Sequence, residues 1–184
     1  MVQNANKKIL LHACCAICSA HPIELLKNLG YEVVIYFYNP NIFPSSEYET
    51  RLNAQRKLCQ HFNVELIIGD YTQETFFDYV KGYEHCQEKG ERCELCFKLR
   101  LKETAKKAKE LGINTFTTSI VISPHKNYYL LTEIGENIAK ENDLTYLAID
   151  FKKKDGFLNT NKIANSLNLY RQNYCGCKYS RRND

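Results

Sequence analysis

Lys8-Ile9-Leu10-Leu11-His12-Ala13-Cys14-Cys15-Ala16-Ile17-Cys18-Ser19 is the stretch that decides the fold. Lys8 to Ala13 is an apolar run of strand length that passes straight into a Cys-Cys-x-x-Cys turn. Ser19, Pro22 in the following turn, then Leu25, Leu26, Leu29 and a closing Gly30 predict a short helix with start and stop signals. A strand handing over directly to a helix is the repeating unit of an α/β sheet.

The same alternation continues along the chain. Tyr31 to Tyr38 predicts a second strand, ended by Asn39-Pro40, and a helix follows with Ser46 and Glu49 as a capping box. Val64 to Ile68 is a third strand, and Thr72 to Tyr83 a helix with Phe76, Phe77 and Val80 facing inward. Glu84 to Arg92 is a polar loop, and Cys93 to Leu111 a long basic helix stopped by Gly112. Asn114 to Ile122 is a fourth strand, Asn127 to Asn142 an amphipathic helix and Leu144 to Phe151 a fifth strand, with a last helix around Lys162 to Tyr170. This order implies a single α/β domain over 1–184, a mostly parallel sheet covered by helices on both faces, with 152–184 as a C-terminal extension. In such sheets ligands lie beyond the carboxyl ends of the strands, where Cys14 and Cys15 fall.

A chain of 184 residues can bury a substantial core without disulfide staples. No run is apolar and long enough for a bilayer, so the expected setting is soluble and cytoplasmic. There, seven of nine cysteines in three clusters point to metal binding or redox chemistry: Cys14-Cys15-x-x-Cys18, Cys93-x-x-Cys96 and Cys175-Gly176-Cys177. Net charge is only +4, compatible with a polyanionic partner without demanding one. Its distribution is more telling, because Lys98, Arg100, Lys102, Lys106, Lys107 and Lys109 follow the second cluster and Lys178, Arg181 and Arg182 surround the third. Lys152 to Lys154 form a further run, and solvated helix faces account for such runs equally well.

Two C-x-x-C pairs can supply four thiolates, which suit tetrahedral zinc or an iron–sulfur cluster equally well by ligand type, with Cys93-x-x-Cys96 as the companion of the first cluster. Adjacent cysteines, whose side chains diverge, favour the iron–sulfur cluster. Cys175-Gly176-Cys177 can close a small, strained and readily reduced disulfide, with two further metal ligands as the competing role. Cys59 lies on an apolar helix face and reads as core, and Cys86 as an incidental loop thiol. Cys18 is spaced for coordination without being needed. His12 reads as a structural histidine at a strand end, and His125 divides evenly between site and surface. Tyr170, Tyr174 and Tyr179 interleave with Arg171, Lys178 and Arg181, a mixture that stacks on bases and holds phosphates, though ordinary packing explains most tyrosines. No glycine-rich phosphate loop follows the first strand, which disfavours ATP-dependent chemistry.

The combination Leu10-Leu11-His12-Ala13-Cys14-Cys15-Ala16-x-Cys18, Asn39-Pro40-Asn41-Ile42-x-Pro44-x-x-Glu47-Tyr48-x-x-Arg51, Cys93-x-x-Cys96-x-x-x-Arg100-Leu101, Ser123-Pro124 and Tyr170-Arg171-Gln172-x-Tyr174-Cys175-Gly176-Cys177 resembles the QueH family of epoxyqueuosine reductases. The resemblance runs from about Leu10 to Ser180, with Ile17 where the family usually has proline and Ser119-Ile120-Val121 in place of a more usual Thr-Leu-Leu-like run. It implies a cobalamin-independent oxidoreductase that reduces epoxyqueuosine to queuosine at the wobble position of tRNA. The fold it implies is Rossmann-like, of the adenine-nucleotide α-hydrolase (HUP) type. The implied cofactor is a [4Fe-4S] cluster on Cys14, Cys15, Cys93 and Cys96, with Cys175 and Cys177 as a redox-active disulfide. An additional mononuclear iron, where present, would draw on Cys18, Asp70 or the final thiol pair. The implied partners are the tRNA and an unidentified electron donor, with no membrane. The competing readings are a non-catalytic zinc-binding tRNA or RNA adaptor and a tRNA sulfur-transferase relative, the latter weakened by the missing phosphate loop.

Overall fold

The computed structural model describes residues 7–181. Five parallel strands form one sheet in the order β3-β2-β1-β4-β5, with β1 Lys7–His12, β2 Tyr31–Phe37, β3 Glu65–Ile68, β4 Thr115–Thr118 and β5 Thr145–Tyr146. This is the doubly wound order: the chain steps outward from β1 to β3, then returns to the other side of β1. The switch point lies between β1 and β4, where Leu10 to His12 pair with Phe116 to Thr118.

β1 is central because its sequence leaves it no alternative. Ile9, Leu10, Leu11 and His12 are fully buried, as a parallel strand covered on both faces requires. Helices α1 (Ala16–Asn28), α2 (Ser45–Phe62) and α6 (Gly156–Ser166) pack together on one side. On the other, α4 (Glu91–Glu110) lies against β1 and β4, flanked by α3 (Gln73–Tyr79) and α5 (Tyr128–Glu141).

Several elements depart from the sequence reading. α1 begins at Ala16, not Ser19, because the Cys15 sulfur accepts the Cys18 backbone N–H at 3.3 Å and caps the helix. Pro22 therefore sits inside α1 and leaves the Cys18 carbonyl without its usual helical donor. Pro44 precedes α2, and Ser46 is already helical, so no capping box forms. α3 stops at Tyr79, and α4 starts at Glu91, which puts Cys93 and Cys96 one turn apart on a helix.

The expected fourth strand divides into β4 and a 3-10 turn, Ser119–Ile122, since the Thr118 hydroxyl accepts from the Ile120 N–H and bends the chain out of the sheet. β5 is two residues long; beyond it Phe151 turns inward and is fully buried. The last helix starts at Gly156, earlier than expected, and docks on α1 through Asn159, which donates to Glu24 Oε2 at 2.5 Å and meets His21 Nδ1 at 2.9 Å. No described helix is long and apolar enough to cross a membrane.

Gly135 shows how closely α5 approaches the edge of the sheet. A Cβ there would lie 2.6 Å from the buried Tyr146 ring. Gly135→Ala is expected to destabilise the fold by about 1 kcal/mol or more in urea denaturation, overpacking outweighing the better helix propensity of alanine.

Candidate active site

β1 delivers the first thiol cluster to the switch point. Ala13 continues the ladder by donating to Tyr36 O at 2.9 Å, and its own carbonyl accepts from Asn39 Nδ2 at 2.9 Å. The chain then turns at Cys14, whose N–H donates to Ser119 Oγ at 3.2 Å. Cys14, Cys15 and Cys18 bring their sulfurs within 4.8 Å of one another. Hydrogen bonds from the Cys15 and Cys18 thiols hold Cys14 well below the usual thiol value. The contact with Cys14, reinforced by burial, raises Cys18 and pushes Cys15 up to about 12.

This trio lines a cavity of about 440 Å³ together with Asn39, Asn41, Arg51, Arg100, His125, Lys126, Gln172 and Cys175. A smaller adjoining cavity is lined by Cys93, Cys96, Cys175 and Cys177 with Arg92, Arg100 and Lys126. The two share Asn41, Arg100, Lys126 and Cys175, so the seven clustered cysteines line two adjoining cavities, and among the described residues Cys14, Cys15 and Cys18 are the group whose sulfurs all lie within 4.8 Å. Burial pushes Cys96 up to about 12 and raises Cys93, whose sulfur accepts the Lys89 N–H at 3.3 Å.

The Cys-Gly-Cys segment is held by α2. Arg51, 2% exposed, donates to the Cys175 and Tyr174 carbonyls at 2.9 and 3.1 Å and to Glu47 Oε1 at 2.7 Å. Phe43 N–H donates to Gly176 O at 2.8 Å, and the Tyr174 hydroxyl donates to Phe43 O. Lys126 Nζ lies 3.3 Å from Cys175 Sγ and 3.6 Å from Glu88. Gln172 Nε2 donates to Cys15 Sγ at 2.9 Å, tying the tail to the first thiol turn.

The remaining candidates fall as follows. His12 is fully buried, donates from Nε2 to Tyr38 O and accepts from Thr118 at Nδ1, each at 3.0 Å; burial, aided by Arg100, lowers it to about 4. It is a neutral structural histidine. His125 lies exposed at the wall of the larger cavity. Asp70 is exposed past the end of β3 and lines neither cavity. Cys59 is core, accepting from Gln55, and Cys86 lies in the turn before α4. On α4, Lys98, Lys106 and Lys107 pair with Glu94, Glu103 and Glu110, so half of the basic run is neutralised locally. Arg182 lies outside the described residues.

Arg51, Ser119, Lys126 and Gln172 were not singled out as site residues from sequence. Each reaches the hollow through a long-range contact that no local pattern marks. Arg100 was read as part of a solvated or RNA-binding run, yet it is 4% exposed and aimed between the cavities.

The donor set fits an iron–sulfur cluster. Thiolate is its ligand, and the hollow supplies seven sulfurs. The charge balance fits too: among the described residues lining the two cavities, Arg51, Arg92, Arg100, Lys89 and Lys126 are cations and Glu88 is the only acid. Such a hollow calls for the negative charge of several thiolates.

The family described as Epoxyqueuosine reductase QueH matches residues 9–183. Curated relatives of that name include those of Streptococcus pyogenes serotype M1, 36% identical over 97% of this chain and 72% of the relative, and Staphylococcus aureus, 40% identical over 94% and 75%. The relative from Helicobacter pylori is 40% identical over 94% of this chain, which spans 49% of that longer protein. Among solved structures, the U34-tRNA thiolase NcsA from Methanococcus maripaludis, with its [4Fe-4S] cluster, superposes with a TM-score of 0.61 at 16% identity, covering 98% of this chain and 63% of the thiolase. That likeness establishes the shared α/β fold. With a match that spans nearly the whole chain and relatives well above 30% identity, the chain belongs to the QueH family of epoxyqueuosine reductases.

Proposed function

We propose that this chain reduces epoxyqueuosine to queuosine in tRNA, with Cys175 and Cys177 as the redox couple beside a [4Fe-4S] cluster held by Cys14, Cys15, Cys93 and Cys96. The observation that carries this reading is the convergence of seven cysteines from three distant segments on two adjoining cavities that share Cys175 and Arg100. When bound, the cluster would supply electrons. Cys18, within 4.8 Å of its neighbours, is the thiol in reserve should a further iron bind, whereas the placement of Asp70 gives it no part.

The dithiol alone balances the reaction. Forming the Cys175–Cys177 S–S bond releases two electrons and two protons. The epoxide takes up both, its two C–O bonds break, a C=C bond forms and the oxygen leaves as water. An external donor must then reduce the disulfide. Lys126 Nζ, 3.3 Å from Cys175 Sγ, holds that sulfur toward the cavity wall it shares with Cys93 and Cys96. Arg51 and the Phe43 amide fix the loop through its carbonyls, so its backbone is held independently of the two sulfurs.

At about 440 Å³ the larger cavity suits a modified base. Asn41, Gln172 and Asn173 offer amide donors and acceptors there, and His125 and Lys89 stand at its wall. Because α4 pairs three of its five lysines internally, phosphate binding falls to unpaired cations such as Lys102, Lys109 and Lys178. A tRNA substrate implies a cytoplasmic reaction.

Anaerobically purified protein is expected to be brown, with about four irons and four acid-labile sulfides per chain; colourless protein with stoichiometric zinc would overturn the cluster. Cys93→Ser should abolish the visible absorption and the reduction of epoxyqueuosine-tRNA, while Cys18→Ser keeps the colour. Cys177→Ser should retain its iron and stop turnover, and full activity in that variant refutes the redox role. At Gly176, φ is +128° and a Cβ would lie 3.0 Å from Arg51 Nη1. Gly176→Ala is therefore expected to lose about 1–3 kcal/mol of stability by thermal unfolding and most of its turnover, with iron content unchanged.

A further inference from the structure

Among the described residues, no carboxylate pairs with the buried Arg100. It stands one turn after Cys96 on α4, is 4% exposed and lines both cavities. Its Nε donates to the Cys96 carbonyl at 3.3 Å and its Nη1 meets Asn39 Oδ1 at 3.5 Å. Neither partner carries charge. The nearby carboxylates are committed elsewhere, Glu47 to Arg51 and Glu88 to Lys126. A guanidinium does not deprotonate in a protein, so it cannot escape burial by becoming neutral. An anion must oppose it, and the groups around it that can supply one are thiols: Cys96, Cys175, Cys14 and Cys93.

We infer that Arg100 is a positioning residue for the thiolate-bound cluster: a built-in counter-ion that raises its reduction potential and ties its two ligand segments together. The inference rests on the cluster reading above. Electrostatically, reduction adds one negative charge to a group that thiolates have already made anionic, and a fixed cation in a low-dielectric hollow stabilises the reduced state more than the oxidised one. Mechanically, Arg100 touches Cys96 O directly and reaches the first thiol turn through Asn39, whose Nδ2 holds the Ala13 carbonyl at 2.9 Å. One side chain thus links the helix that carries Cys93 and Cys96 to the strand end that carries Cys14 and Cys15.

The test compares the full-length wild type with Arg100→Met, which keeps the apolar length and removes the charge, and Arg100→Lys, which keeps the charge. Iron and sulfide are counted after anaerobic reconstitution, and the midpoint potential is read by mediated titration followed in the visible and by EPR. Arg100→Met is expected to shift the reduced-to-oxidised ratio at fixed potential at least tenfold toward the oxidised form, a midpoint about 59 mV lower for one electron. Arg100→Lys should stay within a third of that shift. Loss of the cluster from Met but not from Lys also supports the counter-ion. An unchanged midpoint in a loaded Arg100→Met protein, or equal loss of the cluster from both variants, overturns it. Wild-type protein without iron and sulfide would instead defeat the cluster reading itself.

Discussion

The parallel pairing of β1 with β2 on one side and β4 on the other is the constraint on which the site depends. Once Ile9 to His12 are buried on both faces, the chain has to leave the sheet where β1 ends. It does so at the point where the strand order reverses, so the gap between the neighbouring crossovers opens over Cys14 and Cys15. The flanking contacts serve that exit: the Tyr36 carbonyl takes the Ala13 amide, Ser119 takes the Cys14 amide, and Cys15 spends its sulfur as a helix cap. The backbone donors at this corner are met largely by groups that also define the site.

The second feature is electrostatic. Three arginines buried near seven thiols would be a costly arrangement in an inert protein, since a lone buried guanidinium is destabilising. They are satisfied in different ways. Arg51 has Glu47 and two carbonyls, Arg92 has the carbonyls of Tyr83, Glu84 and Cys86 and the face of Tyr179, and Arg100 has only the Cys96 carbonyl and the Asn39 amide oxygen. The first two brace loops around the hollow, and the third faces into it.

Much of the architecture was legible in the sequence, because β-branched runs between amphipathic helices leave few alternatives to a parallel sheet. The boundaries that failed did so where a side chain competed with the backbone ladder. Thr118 ends β4 by accepting the Ile120 amide, and the Cys15 sulfur starts α1 earlier than Ser19 would. The short β5 had no local mark, since Leu144 to Phe151 is apolar apart from Thr145 and Asp150 and only the tertiary fold turns Phe151 inward. At the site, cysteine spacing identified the thiols. It could not reveal that Arg100, one of six basic residues in a row of similar appearance, points away from solvent while Lys98, Lys106 and Lys107 pair on the helix surface.

The strap that carries Cys175 and Cys177 has a consequence for how the protein matures. Its anchors join residues far apart in the chain: 124 positions separate Arg51 from Cys175, and 157 separate Cys15 from Gln172. Contacts of such span are among the last a folding chain can close, because the intervening loop must first lose its freedom. The sheet, α1 and α4 can therefore set Cys14, Cys15, Cys93 and Cys96 in place while the hollow still lies open, and the strap then seats over a site whose floor is already built. Assembly from the inside outward would give the proposed cluster an interval to enter before the strap closes.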